Sequence, residues 1–114
     1  FNVNGIAQLA AIESLKDKVF INKSIRHNLL YSRKIKKFLE TYNIFSNSVS
    51  ANFLLLNFEK CRYSAKFFYE KLKNRGIILR STEDGYYIKN KLRLTIGSKN
   101  ENLAFMNAIK NIYN

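Results

Sequence analysis

The amino-acid sequence predicts an α+β fold, a two-layer sandwich of helices on a small mixed or antiparallel sheet. This prediction follows from the distribution of the apolar residues. They recur at helical spacing at both ends of the chain, and short apolar runs bounded by Gly, Ser or Asn occupy the middle. No repeat or low-complexity linker divides the 114 residues. We therefore expect a single domain that spans residues 1–114.

Two helices are predicted at the start of the chain. Asn4 can cap the first helix, whose apolar stripe continues to Leu15. A longer second helix is expected from about residue 20 to residue 42, with one gap in its stripe at Ser32. The apolar positions of this helix recur near helical spacing and are expected to pack on the sheet; they are Ile21, Ile25, Leu29, Ile35, Phe38 and Leu39.

Strands and a helix are predicted in the middle of the chain. Ile44 and Phe45 indicate a short strand, and residues 52–58 are too continuously apolar for a half-exposed strand, so a buried one is expected. A helix should follow and end at Gly76 in a left-handed turn. Its buried positions step by 4, 3 and 4; they are Cys61, Ala65, Phe68 and Leu72.

The last third of the chain predicts two strands and a helix. The strands cover residues 77–79 and 92–97, and a turn or small lobe over residues 81–90 separates them. Ser98 and Glu101 have the spacing of a capping box, so a final helix should run from Lys99 to about Ile112. We expect this helix to bury three apolar residues, namely Leu103, Met106 and Ile109.

Two arginines stand on these last strand runs. Arg93 alternates with Leu92 and Leu94, which places it on the opposite face of the strand, and Arg80 closes the preceding run. The planar guanidinium donates paired hydrogen bonds to carboxylate or phosphate. The pair therefore predicts an oxyanion site. The alternative is that Arg93 is solvated or paired with a carboxylate and that Arg80 bonds to backbone carbonyls.

Composition and charge limit the range of partners. The net charge of +12 fits a nucleic-acid partner, but the cations lie along two helices of a chain that is also rich in Asn, so we do not expect one. The single Cys61 excludes an internal disulfide and favours the cytoplasm. No apolar run reaches the roughly 18 residues of a membrane span, and no metal-ligand spacing is present. His27 stands on a basic helix and is expected to be solvated.

Several motifs resemble, in their order and spacing, the C-terminal small domain of histidinol-phosphate aminotransferase. This family belongs to the pyridoxal-phosphate enzymes of aminotransferase fold type I. The resemblance covers the whole chain, although no proline precedes the Asn-Phe strand. The motifs are Phe1-Asn2-Val3-Asn4, Ala51-Asn52-Phe53, Gly76-Ile77 with Arg80, residues 92–97, and Glu101-Asn102.

The resemblance implies roles for particular residues. Arg93 would receive the phosphate of histidinol phosphate in one half-reaction and a carboxylate of glutamate or 2-oxoglutarate in the other, and Arg80 would be a second phosphate ligand. Asn2 and Asn4 would lie near the mouth of the active site, or would only cap a helix. No catalytic residue is expected here, because the family's Schiff-base lysine and most of its pyridoxal 5'-phosphate site lie in a large domain absent from this chain. The chain by itself is therefore expected to be inactive.

Other interpretations remain open at this point. A threonine-phosphate decarboxylase or an aromatic aminotransferase would have a similar small domain, and a basic nucleic-acid-binding module is the alternative outside this class. For the full-length protein, the resemblance implies a homodimer with no membrane partner. Its substrates would be a phosphorylated amino compound and 2-oxoglutarate or glutamate.

Overall fold

The computed structural model describes residues 2–49 and 51–113, so that Phe1 of the opening motif lies outside the described residues. The predicted α+β class is confirmed. The helices are α1 (Gly5–Lys16), α2 (Lys18–Glu40), α3 (Ala65–Lys73), a single turn α4 (Glu83–Tyr86) and α5 (Lys99–Tyr113). The strands are β1 (Phe45–Ser46), β2 (Phe53–Asn57), β3 (Arg80–Ser81) and β4 (Lys91–Thr95).

The four strands form one antiparallel sheet in the order β1-β2-β4-β3. In its register Leu55 pairs with Arg93 on β4, and Arg80 pairs with the same Arg93 from the other side. Residues that are directly opposite in a sheet share a face. Both arginines therefore lie on one face of the sheet, next to Leu55.

The other face of the sheet carries the core. Leu54 and Leu56 on β2 and Leu92 and Leu94 on β4 are buried there, under α2, α3 and α5. The helices contribute fully buried side chains to the same cluster, among them Ile35, Leu39, Phe68, Leu72 and Ile109. This arrangement is the two-layer sandwich that the sequence predicts.

The prediction of a fully buried strand at residues 52–58 is wrong. In β2 exposure alternates, with Leu54 and Leu56 buried and Phe53 and Leu55 on the opposite face. The reason is that helices cover only the core face of the sheet. The Arg93 guanidinium lies over the Phe53 ring at 5.3 Å, which gives that apolar side chain a favourable polar neighbour.

The apolar stripe of α2 is core over only half of its length. Ile25 and Leu29 remain 51% and 41% exposed, whereas the second half of the helix is buried at Tyr31, Ser32, Ile35 and Leu39. The gap predicted at Ser32 therefore lies inside the core. Its hydroxyl is satisfied there because it donates to the Leu29 carbonyl at 3.0 Å, a common helical bond for serine.

Two other elements differ from the prediction, one in its bounds and the other in which face is buried. The third strand is Arg80–Ser81, so residues 77–79 lead into it without pairing in the described sheet. The buried face of α5 is rotated, with Phe105 and Ile109 in the core and Leu103 42% exposed. Phe105 lies in the core because it shares a helix face with the buried Asn102 and Ile109, at spacings of three and four residues, whereas Met106 is only partly buried.

Residues 2–30 form a segment that we call the arm, and the other described residues form the body. Within α1, all of whose residues are described, no residue is buried. The molecule measures 49 × 31 × 25 Å, and its radius of gyration of 16.5 Å exceeds the roughly 13 Å of a compact chain of this length. The large apolar side chains exposed on the arm are Val3, Ile6, Leu9, Ile12, Leu15, Val19, Phe20, Ile25, Leu29 and Leu30.

Candidate functional site

A cleft of about 880 Å³ opens at the β3 edge of the sheet, where the end of β4 meets the start of α5. Apolar residues line part of it, including Ile77, Leu79 and Phe105. Its charged and polar lining consists of Arg80, Ser81, Asp84, Arg93, Thr95, Glu101 and Asn102. The cleft therefore contains both of the arginines that the sequence singled out.

The two arginines are direct cross-strand neighbours. Arg80 is exposed and Arg93 is half-buried, and the two residues pair in register between β3 and β4. Like charges placed directly opposite in a sheet repel each other. An anion bound between them would remove that repulsion.

One hydrogen-bond donor of Arg93 is unused within the described residues. Its Nε is buried, and no hydrogen-bond partner for it lies among the described residues. A buried donor without a partner carries a desolvation cost of roughly 1–3 kcal/mol. The Phe53 ring beneath the guanidinium restricts its orientation. The side chain is thus held on the sheet with part of its hydrogen-bonding capacity unused.

The start of α5 also lines the cleft. The predicted capping box is confirmed, since the Ser98 backbone N–H donates to Glu101 Oε2 at 2.7 Å and the Glu101 N–H donates to Ser98 Oγ at 3.4 Å. The bond from the Ser98 N–H, and then that from its hydroxyl, lowers the pKa of the Glu101 carboxyl from its usual value. The negative charge of Glu101 is therefore engaged by the helix cap.

Gly97 connects β4 to α5 in a tightly packed turn. The buried Asn102 side chain accepts from the Gly97 N–H at 3.0 Å and donates to the Gly97 carbonyl at 2.8 Å. A Cβ at Gly97 would lie 2.8 Å from Glu101 Oε2 and 2.9 Å from its Cβ. Glycine is needed here because of this close approach, and its φ angle is not the reason.

The expectation of a solvated His27 is wrong. Its Nε2 lies 2.8 Å from the Gly97 carbonyl oxygen, and its ring lies 4.6 Å from that of Tyr31. The side chain is half-buried between α2 and the rim of the cleft. Sequence reasoning missed this residue because its partner is 70 positions away. The spacing of four residues to Tyr31 on the same helix face was the one available signal.

The other residues singled out in the sequence lie away from the cleft. Asn4 caps α1, its Oδ1 accepting from the Ala7 N–H at 2.8 Å, and Asn2 lies in a shallow groove along the same helix. A role for either at an active-site mouth stays a prediction. Cys61 precedes α3 instead of starting it, and its Sγ lies 2.8 Å from the Tyr113 hydroxyl.

The cleft does not offer the groups that would hold a cofactor covalently or a metal. Among the described residues that line it there is no lysine. Within residues 2–49 and 51–113 no three His, Cys, Asp or Glu side chains are close enough together to bind a metal ion. In the same residues no helix has the length and apolar composition needed to cross a membrane. The charged donors in the lining are Arg80 and Arg93, whose guanidinium groups can bind anions.

Relatives of known sequence match the chain from end to end. It is 59% identical over 114 residues to the histidinol-phosphate aminotransferase of Pelagibacter ubique, a match that covers 100% of the chain and 32% of the relative. It is 31% identical over 116 residues to that of Parabacteroides distasonis, covering 98% of the chain and 32% of the relative. The chain thus spans about a third of the length of these curated relatives. No sequence profile of a known protein family matches it.

Solved structures share the fold. Histidinol-phosphate aminotransferase from Clostridium acetobutylicum superposes with a TM-score of 0.82 at 26% identity, over 97% of the chain and 34% of that protein. A decarboxylase from Sulfurospirillum multivorans superposes with a TM-score of 0.77 over 100% of the chain and 33% of that protein, and its 21% identity shows the fold alone.

In both fold and sequence, the whole chain is similar to about a third of an aminotransferase. The part represented by this chain is a sheet with helices on one face. Arg80 and Arg93 pair between its last two strands, β3 and β4. Within the class, the chain is homologous to the histidinol-phosphate aminotransferases, and the resemblance predicted from the sequence motifs is confirmed.

Proposed function

We propose that the full-length protein is a pyridoxal-phosphate-dependent aminotransferase of histidine biosynthesis. It transfers the amino group between histidinol phosphate and 2-oxoglutarate, giving imidazole-acetol phosphate and glutamate. Residues 1–114 form its C-terminal small domain, which binds the acidic end of each substrate. The observation that supports this proposal best is the register that sets Arg80 opposite Arg93 inside the cleft. The names of the relatives supply the reaction.

The arginine pair accounts for the use of two different anionic substrates. Arg93 presents its planar guanidinium from a strand that is paired on both sides. A phosphate or a carboxylate can each take up two parallel hydrogen bonds from such a guanidinium. Arg80, one strand away, adds a second cation that favours the doubly charged phosphate. Both half-reactions can therefore use the same pair of arginines.

The cofactor belongs mainly to the rest of the protein in this proposal. Pyridoxal 5'-phosphate supplies the electron sink for amino-group transfer when it is bound. The lining of the cleft fits a supporting role, since it has cations for a substrate anion but no lysine among its described residues. The contribution of this chain is to orient the substrate. Holding one end of the substrate places its amino group where the reaction occurs.

We assign the arm to an interface with the missing large domain. The relatives are about three times as long as the chain, so roughly two thirds of such a protein would lie outside it. An unburied helix with four large apolar side chains, Ile6, Leu9, Ile12 and Leu15, needs a partner of its own. The large domain would cover this surface in a cytoplasmic homodimer.

The test uses the full-length protein loaded with pyridoxal 5'-phosphate. We expect glutamate to form from 2-oxoglutarate only when histidinol phosphate is supplied. Arg93→Lys should lower kcat/KM by at least about thirtyfold, because loss of one partner of a desolvated charge pair costs about 2–5 kcal/mol. Arg33→Lys, at an exposed position of α2, is the control and should leave the kinetics unchanged.

Other outcomes would reassign the substrate or the class. Turnover of threonine phosphate with release of CO₂, or preference for an aromatic amino acid, would move the protein to another enzyme with the same fold. Salt-dependent retention on DNA without any transamination would favour the basic nucleic-acid-binding module. Wild-type kinetics in Arg93→Lys would remove the arginine pair from the proposal.

A further inference from the structure

The contact between His27 and Gly97 joins the arm to the rim of the cleft. His27 lies on α2 just before the helix enters the core at Tyr31, while Gly97 is the residue that connects the Arg93 strand to α5. A carbonyl oxygen can only accept a hydrogen bond, so the ring must carry its proton on Nε2. This donor remains in place when the ring is protonated as well.

The backbone of Gly97 is held from both sides, through its N–H and through its carbonyl. Asn102 bonds to its N–H and to its carbonyl from α5, and His27 donates to the same carbonyl from α2. The turn is also in contact with Glu101, which leaves no room for a larger residue. The position of this turn sets how the end of β4 is placed relative to the start of α5, and both elements line the cleft.

We propose that His27 is a positioning residue for the anion-binding site at Arg80 and Arg93, and that it acts through the Gly97 carbonyl. The proposal deepens the proposed function and rests on it, since it concerns the same cleft. His27 touches neither the substrate nor the arginines. It fixes the rim against which a phosphate or carboxylate held by Arg93 must fit. The arm, through His27, is thereby linked to the geometry of the cleft.

This role predicts a particular kinetic signature. Loosening the hold on the remote end of the substrate weakens binding in the ground state as well as in the transition state, so we expect KM to rise whatever happens to kcat. A residue that only stabilises the fold would act differently. Its loss would reduce the amount of active enzyme, which lowers apparent kcat at constant KM.

The experiment compares three variants of the full-length protein. His27→Leu removes the donor, His27→Gln keeps an N–H at a similar reach, and Arg33→Leu places the same apolar residue at an exposed site on the same helix. We expect His27→Leu to raise KM for histidinol phosphate and for 2-oxoglutarate roughly five- to tenfold, the effect of one hydrogen bond. His27→Gln should restore KM to within about twofold of wild type, and Arg33→Leu should not change it.

A second measurement does not depend on activity. Hydrogen exchange of a peptide covering residues 95–104 should be roughly fivefold faster in His27→Leu than in wild type or Arg33→Leu, because one bond to the Gly97 turn is lost. If wild type does not act on histidinol phosphate, the proposed function fails, and exchange together with binding of inorganic phosphate still tests the role of His27. Unchanged exchange, unchanged KM, or a raised KM that Gln does not restore would each overturn the proposal.

Discussion

The arm and the body have similar apolar patterns but opposite surroundings. Ile35 and Leu39 in the body are 0% and 1% exposed, whereas Leu9 and Leu15 in the arm are both 66% exposed. The helix α2 crosses from one region to the other without a change in its spacing. The comparison teaches that apolar spacing along a helix does not by itself show which residues the chain buries. Under the proposed function, the apolar side chains of the arm would be buried by the rest of the protein.

The largest expected effect is on the stability of the body. Phe68 is fully buried, so Phe68→Ala should lower the free energy of unfolding of the 114-residue chain by about 3–5 kcal/mol. Leu9→Ala in the arm should change it by less than about 0.5 kcal/mol. Urea denaturation of both variants measures the contrast. Equal effects would mean that the arm is packed in solution, against the exposure described above.

The second-largest effect is on the stability of the full-length protein, and it should be absent from the 114-residue chain. Burial of a leucine side chain contributes about 1.5–3 kcal/mol, so Leu9→Asp should destabilise the full-length protein by at least that amount. In the 114-residue chain the same substitution should be nearly neutral. The measurement is the difference between the two unfolding free energies. A neutral result in both proteins would contradict the proposed interface with the large domain.

A smaller effect belongs to the C-terminal end of the body. The Tyr113 hydroxyl contacts Cys61 Sγ at 2.8 Å and donates to the Tyr42 carbonyl at 3.0 Å. Tyr113→Phe should cost about 1 kcal/mol of stability. Burial, and next the bond to Cys61, raises the pKa of Tyr113 above its usual 10.0.

The raised pKa of Tyr113 has a definite sign in its effect on stability. Folding favours the neutral phenol, so the stabilisation is complete below pH 10.0 and decreases as the pH rises towards the folded-state pKa. Tyr113→Phe lacks this decrease. Denaturation at pH 8 and above pH 10 measures the difference in unfolding free energy between wild type and Tyr113→Phe. This difference should be smaller at the higher pH.

The smallest effect concerns the cap of α5. The pKa of Glu101 is lowered from 4.5 by the Ser98 N–H and hydroxyl, so its charge stabilises the fold fully above pH 4.5 and less as the pH falls through the folded-state pKa. Glu101→Gln keeps an acceptor but loses the charge. The advantage of wild type over this variant should be present at pH 6 and diminished at pH 3. Thermal unfolding at both pH values measures it.

Local signals in the sequence predicted some elements correctly. Period-2 alternation put Leu92 and Leu94 in the core and Arg93 on the other face, and the capping box placed the start of α5. Both depend on residues within a few positions of each other. The sequence predicted that Arg80 and Arg93 lie near each other but did not predict their exact pairing, because strand register depends on segments that are distant in the chain.

The errors of the sequence analysis have a common physical cause. Burial of β2 was overestimated because the sequence does not show that helices cover one face of the sheet only. Ser32 was treated as a gap although its hydroxyl can bond within its own helix, and His27 was treated as solvated although α2 brings it to Gly97. Each of these depends on which elements meet in space. Periodicity along the chain carries no such information.

The short pairing of β3 with β4 has one further consequence. Two residues on each strand hold this border of the sheet, and one of the two pairs joins Arg80 to Arg93. A negatively charged occupant would act there as a counterion, so that its arrival converts mutual repulsion into attraction for both side chains. Under the proposed function, ligand and sheet border would then strengthen each other, and β3 should be most resistant to proteolysis when the anion site is saturated.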